Sequence, residues 1–320
     1  MPDQTKLDRV LVIELVRVTE AAAVAASLFV GRGNEKDADA AAVEAMREAL
    51  NTLQIEGTVV IGEGERDEAP MLYIGEKVGR GNGPKIDIAL DPLEGTTITA
   101  KGGPNALAVV AFAENGCLLN APDTYMEKIA VGPGFEPGIV DLDRRISENV
   151  EAVAKAKNIK PQEVMVCVLD RPRHADMIAD LRAMGAAIKL IPDGDVAGAM
   201  ETAMPDTGVD LYVGTGGAPE GVLAAAALRC LGGQFQGRLV FRNDDERARA
   251  AKWGITDLER KYDIIELASG DVIFAATGVT DGSLLRGVKR SKYGGYATHS
   301  VVMRSSTRTI RWVETDHIPA

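Results

Sequence analysis

No two of the three cysteines, Cys117, Cys167 and Cys230, stand at a spacing that suggests a zinc site or a disulfide framework. They read as buried small hydrophobes of a protein kept in a reducing compartment. Histidine is equally scarce: His174, His299 and His317 lack metal-ligand spacing and are expected to be structural or exposed. Lysine and arginine, 36 in all, fall short of the 47 aspartates and glutamates, which leaves a net charge of −11 and a pI near 4.9. That deficit argues against nucleic acid or an anionic membrane as the main partner. No uninterrupted apolar run reaches membrane-spanning length. The apolar stretch from Val10 to Val30 is broken by Glu14, Arg17 and Glu20 and lacks a basic leader and a clean cleavage site, so a cytoplasmic chain without a signal peptide is expected. Gly214-Thr215-Gly216-Gly217 lacks the spacing of a dinucleotide fingerprint, and no serine or cysteine elbow offers a covalent nucleophile. Neither an internal repeat nor a low-complexity tract is present.

What is present is 320 residues, enough for two domains or one large α/β body, with roughly 75% of the unfolded chain's surface buried on folding. A chain of this size needs no metal for stability, so any metal it binds is expected to be functional. Helical periodicity runs over residues 6–30, and a second helix is expected over about 38–53, starting at Asp37 or Asp39. Strands follow at 58–61, 86–90 and 107–113, then an extended segment at 123–133. After a helix at about 143–158 the chain alternates strand and helix through 164–169, 173–184, 187–191, 195–204, 209–213 and 219–231, the rhythm of a mainly parallel sheet. A division near 140–160 is therefore expected, giving domains over 1–150 and 151–320. The last strands, at 271–276 and 298–315, can return to complete the first sheet.

The chemistry concentrates where strands end. Ile86 to Leu90 breaks into Asp91-Pro92-Leu93-Glu94-Gly95-Thr96-Thr97. Pro92 interrupts strand hydrogen bonding, and Gly95 lets backbone approach a ligand. A helix starting after Gly95 would turn its free N–H groups toward a phosphate. Asp91 and Glu94 offer the hard oxygens that hold Mg²⁺ or Mn²⁺ beside it. Gly62-Glu63-Gly64-Glu65-Arg66-Asp67-Glu68 places further acids after the preceding strand. If the two strands are neighbours, Glu63, Asp67, Asp91 and Glu94 share one crevice and can form a two-metal site; otherwise these are a solvated loop and an acidic turn. Arg171-Pro172-Arg173-His174 projects two guanidinium groups from a later strand end, as a phosphate clamp or a solvated basic turn. Asp193 and Asp195 can accept from sugar hydroxyls, while Asp195 can also cap the helix that follows. For Glu220 helix capping rivals metal binding.

An early acidic loop followed by a strand ending in Asp-Pro-Leu-Glu-Gly-Thr resembles the lithium-sensitive sugar phosphatases, whose usual signature has a second Asp where this chain has Glu94. Four longer words narrow the likeness: Gly62-Glu63-Gly64-Glu65 through Asp67-Glu68-Ala69-Pro70-Met71-Leu72-Tyr73-Ile74-Gly75-Glu76; Asn120-Ala121-Pro122-Asp123 with Tyr125-Met126-Glu127-Lys128; Ile191-Pro192-Asp193-Gly194-Asp195-Val196; and Gly216-Gly217-Ala218-Pro219-Glu220-Gly221. Together these resemble the bacterial class II fructose-1,6-bisphosphatases, from the N-terminal helix to about residue 315. The resemblance implies a layered α/β/α/β/α sandwich, and a first domain for metal and phosphate with a second for the sugar phosphate. It implies Mn²⁺ or Mg²⁺ held by Asp39, Glu63, Asp91, Glu94 and Glu220, with Asp67 supporting the metal site and its water. Thr96 would orient or deprotonate the attacking water, with Glu94, Gly95 and Thr96 holding the scissile phosphate. Tyr125, Arg171, Arg173, Asp193, Asp195 and Gly217 match positions that hold the sugar and its distal phosphate.

Two departures stand out: Lys36 only approximates a lysine that relatives place before the metal-binding Asp, and Arg171 replaces a point charge with a planar fork. The implied reaction is hydrolysis of fructose 1,6-bisphosphate to fructose 6-phosphate by water, without a phosphoenzyme, in a homodimer or homotetramer. The rival readings are a dual fructose and sedoheptulose bisphosphatase, an inositol phosphatase and a non-catalytic sugar-phosphate sensor. The charged segment from Asp244 to Arg260 reads as an interface or a solvated insertion.

Overall fold

The computed structural model describes residues 7–64 and 70–319. The chain forms two compact units, one made of residues up to Leu119 together with those from Ala268 onward, the other of Asn120–Leu267.

The first unit opens with helices α1 (Leu11–Ser27) and α2 (Glu35–Leu50). Leu11, Leu15, Val18, Ala22 and Ala26 of α1 recur three or four positions apart and are buried, the stripe that seats an amphipathic helix on a sheet. Helix α2 begins earlier than its alanine run suggests, because the Asn34 side chain accepts from the Asp37 amide at 3.1 Å and caps the first turn. Strands β1 (Glu56–Ile61), β2 (Lys77–Val78) and β3 (Lys85–Glu94) follow, then the short helix α3 (Thr96–Lys101) and strand β4 (Leu107–Glu114).

The second unit begins with β5 (Tyr125–Val131) and α4 (Ile146–Lys157), then β6 (Met165–Leu169), α5 (Ala175–Met184), β7 (Ala187–Ile191), α6 (Asp195–Glu201), β8 (Leu211–Gly217) and α7 (Ala218–Leu231). It closes with β9 (Gln234–Val240), α8 (Asp244–Lys252), β10 (Lys261–Asp263) and α9 (Ile264–Leu267). Its sheet runs β10-β9-β5-β8-β6-β7. The crossovers through α5 and α6 make β6, β7 and β8 parallel, but β5 lies antiparallel between β8 and β9. The sheet is therefore mixed, where strand–helix alternation had pointed to a mainly parallel one. A division near 140–160 falls inside this unit, because every residue from Tyr125 to Val131 pairs on both sides with β8 and β9.

The chain returns to the first unit with β11 (Val272–Gly278), β12 (Lys289–Arg290), β13 (Tyr296–Arg304) and β14 (Thr309–His317). Its sheet runs β12-β13-β11-β4-β3-β1-β2, with β14 on β13. The single long strand expected at 298–315 is a hairpin, turned at Arg308 in the left-handed region. Both units are α/β, with separate apolar cores: Leu15, Met46, Ile88 and Phe112 lie in the first, and Val150, Val166, Leu181 and Leu211 in the second.

Candidate active site

In the first unit, β1 and β3 are adjacent and parallel, with Ile61 opposite Ala89. Glu63 and Asp91 therefore each stand two residues past a paired position, at the same end of neighbouring strands. Gly62 is required there, since a Cβ would run into the Leu72 carbonyl; this closeness lets the Glu63 amide donate to Leu72 O at 3.1 Å and Ile74 N to Gly64 O at 3.0 Å. The loop between them carries Asp67, which lies outside the described residues. The β3–β4 ladder shifts register between Asp91 and Glu94, and the Leu93 amide donates to Asp91 Oδ1 at 3.0 Å. Gly95 then adopts φ 92°, ψ 52°, a conformation costly for any side chain, and its carbonyl accepts from the amide and the hydroxyl of Thr99. Glu94 is buried and Thr96 opens α3. Asp39 lies one turn into α2, where burial raises its carboxyl above the usual range.

In the second unit, residues expected to hold the sugar gather around the end of β5. Tyr125 pairs with Gly217 on one side and Val240 on the other. The Arg173 guanidinium lies 4.9 Å from the centre of the Tyr125 ring, and its Nε donates to Thr215 O at 2.8 Å. Arg171 faces Asp193 at 3.9 Å. Gly194, in the left-handed region, starts α6, so Asp195 is its first residue and caps nothing through its side chain. Its carboxylate instead receives a hydrogen bond from Lys128 Nζ, both side chains being buried. A Cβ on Gly216 would strike that carboxylate, and one on Gly217 would strike the carboxylate of Glu220. Burial pushes the Glu220 carboxyl up to about 7; the Asp195 charge adds to this and the Lys128 charge opposes it. Its Oε2 is buried with no hydrogen-bond partner.

In each unit the candidate donors are carboxylate oxygens, the kind a hard divalent cation takes, and in the second unit the orphaned Glu220 Oε2 is one that such an ion would satisfy. Among the described residues no three carboxylate, imidazole or thiol side chains gather into a group that could hold a metal. The structure brings together Glu63 with the Asp91–Thr96 corner in one unit, and Tyr125 with Arg173, Arg171 with Asp193, and Asp195 with Lys128 in the other.

The family model of bacterial fructose-1,6-bisphosphatase, glpX-encoded, matches residues 9–317. The chain belongs to this family. It is a class II fructose-1,6-bisphosphatase homologue, a phosphoric monoester hydrolase. It is 48% identical over 324 aligned positions, 97% of this chain and 95% of the relative, to fructose-1,6-bisphosphatase 1 class 2 of Escherichia coli (strain K12). The class 2 fructose-1,6-bisphosphatase of Shigella flexneri matches with the same figures. Among solved structures, inositol monophosphatase from Anabaena (Nostoc) sp. PCC 7120 aligns over 61% of this chain and 71% of that one, at 12% identity and a TM-score of 0.32.

Two residues of this bisphosphatase homologue, Lys128 and Arg242, escape a reading of the sequence, and His174 is structural, as its lack of metal-ligand spacing implies. Lys128 sits mid-strand, where lysine is ordinarily expected at the surface. His174 is buried: Thr215 N donates to its Nε2 at 2.8 Å, so Nδ1 carries the proton and donates to Leu169 O at 2.7 Å. Burial, aided by Arg173 and Arg171, lowers its pKa and keeps the ring neutral. Arg242 follows β9, whose alternation of Phe235, Gly237 and Leu239 with Gln234, Gln236 and Arg238 is the signal the sequence offers. Among the described residues no helix is long and apolar enough to cross a membrane.

Proposed function

We propose that this chain hydrolyses the 1-phosphate of fructose 1,6-bisphosphate, giving fructose 6-phosphate and phosphate, as a cytoplasmic enzyme of gluconeogenesis. The observation that carries the reading is the family match over residues 9–317, which spans every residue assigned a role here. The parallel pairing of β1 with β3, which puts Glu63 and the Asp91–Thr96 corner at one end of the sheet, supports it.

Metal dependence goes with the family, and Mn²⁺ or Mg²⁺ is the ion proposed, with Asp39, Glu63, Asp91, Glu94 and Glu220 as its ligands. When bound, such ions neutralise phosphate charge and acidify water. The remaining work belongs to the chain. Glu94, Gly95 and Thr96 hold the scissile phosphate at the β3–α3 corner. The Thr96 hydroxyl orients water in line with the sugar oxygen and passes its proton toward Asp67. A bond forms from water oxygen to phosphorus as the bond to the sugar oxygen breaks, that oxygen takes a proton from solvent water, and the proton passed toward Asp67 returns to solvent. Tyr125, Arg171, Arg173, Asp193, Asp195 and Gly217 hold the sugar and its distal phosphate, which sets the affinity for the bisphosphate. The working form is a homodimer or homotetramer, which light scattering decides.

The test is phosphate release by metal-stripped protein from fructose 1,6-bisphosphate and sedoheptulose 1,7-bisphosphate in parallel, with and without added Mn²⁺ or Mg²⁺. Metal-dependent release from the fructose ester alone is the expected result. Comparable release from both makes the enzyme dual. Release from neither by folded, metal-binding protein refutes the reading in favour of inositol phosphates or a sensor.

A further inference from the structure

Tyr125 begins β5 between two neighbouring strands, and a guanidinium reaches its ring from beside each of them. Arg173 comes from the β8 side, tied to Thr215 O. Arg242 comes from the β9 side, two residues beyond the Val240 that pairs with Tyr125, and its guanidinium lies 4.7 Å from the ring centre. Two cations held over one phenol ring repel each other, so the cluster favours an anion at that spot.

Arg242 is also held unusually firmly for a surface residue. Its Nε donates to Glu246 Oε1 at 2.6 Å, one terminal nitrogen lies 2.5 Å from the same oxygen, and its backbone amide donates to Glu246 Oε2 at 2.7 Å. The Thr124 hydroxyl donates to that second oxygen at 2.9 Å. The carboxylate is 1% exposed while the guanidinium is 52% exposed. An ordinary surface pair exposes both partners and is worth little; here the acid is buried as an anchor and the cation is presented outward. The pair occupies one edge of the planar fork, and the remaining Arg242 donors have no partner among the described residues. An asparagine cap at Asn243, accepting from Glu246 N at 2.9 Å, fixes the first turn of α8 that carries the anchor. The strongly charged segment that starts at Asp244 thereby acquires a task.

We infer that Arg242 is a further binding residue of the sugar-phosphate subsite, donating to the distal phosphate of the bisphosphate, and that Glu246 is the positioning residue that aims it. The inference rests on the proposed bisphosphatase function and deepens it. Arginine suits this task because its planar fork grips a phosphate through two parallel hydrogen bonds while its other edge stays clamped.

The experiment compares kcat and KM of the metal-loaded enzyme and its Arg242→Ala, Arg242→Lys and Glu246→Gln variants on fructose 1,6-bisphosphate and on fructose 1-phosphate, which lacks the distal phosphate. Arg242→Ala is expected to raise KM for the bisphosphate by about 10- to 100-fold, as loss of a charge-assisted contact does, with kcat nearly unchanged and KM for fructose 1-phosphate within about twofold of wild type. Glu246→Gln shifts the bisphosphate KM in the same direction by less. Equal changes on both substrates, or none on the bisphosphate, overturn the inference. If Arg242→Ala does not fold, Arg242→Lys, which keeps stem and charge but loses the fork, decides by the same split. If wild type hydrolyses neither ester, the functional reading has failed separately. Titration of fructose 6-phosphate into wild type and Arg242→Ala then tests Arg242 alone, with unchanged affinity counting against it.

Discussion

Replacing Lys128 by methionine removes one partner of a pair whose side chains are 1% and 8% exposed. The aliphatic stem is kept, so the perturbation is electrostatic: Asp195 stays buried without its cation, under a Gly216 backbone that admits no extra atom. Breaking a buried pair from one side costs about 3–5 kcal/mol, most of it the burden of the uncompensated charge. For cooperative unfolding of the 320 residues, at about 2.1 cal/mol/K per residue, that lowers Tm by about 4–7 °C. The effect extends to Glu220, whose carboxyl Lys128 normally pulls downward, so its pKa should rise further in the variant. The assay is calorimetry of wild type, Lys128→Met, Asp195→Asn and the double variant at neutral pH. The double variant removes both charges and is expected to recover at least about half of the lost stability, a coupling that independent sites would not show. A cost for Lys128→Met below about 1 kcal/mol would refute the reasoning, since it is the value of a solvated surface pair.

Gly62→Ala places a methyl against the Leu72 carbonyl, a backbone atom that cannot swing aside; destabilisation of about 1–3 kcal/mol with loss of activity is expected in urea titration and phosphate release. Gly217→Ala meets only the carboxylate of Glu220 and no backbone atom, so the fold should persist while affinity for Mn²⁺, measured by calorimetric titration, falls; unchanged affinity would speak against Glu220 as a ligand. Thr96→Ala should leave the fold intact by circular dichroism yet lower kcat by about 100-fold or more, and full activity would remove Thr96 from the mechanism. His174 has a folded pKa below its usual 6.5, so protons favour the unfolded chain. Its stability contribution is therefore complete above about 6.5 and is lost as pH falls through the folded value. His174→Gln should make the fall of ΔG with acidification shallower, read from denaturation curves at stepped pH.

The sequence by itself determined the family, the α/β class and the strand-end corners that carry chemistry, because those depend on local patterns. An apolar strand ending in Asp91-Pro92-Leu93-Glu94-Gly95 announces its corner through proline and glycine, and the long words around Glu63, Tyr125, Asp193 and Glu220 are contiguous. Tertiary structure alone decided which strands became neighbours. Nothing near Tyr125 in sequence says that β5 enters a sheet between β8 and β9, which places it in the second unit. That pairing is also what brings Arg173 and Arg242 over one ring. Lys128, buried against Asp195, and His174, whose tautomer is set by the distant Thr215 amide, gain their roles from partners far along the chain. The physical reason is the same in each case. Local propensity and turn chemistry act over a few residues, whereas charge pairing, desolvation and cation–ring contacts depend on distance in space, which exists only once the sheets have formed.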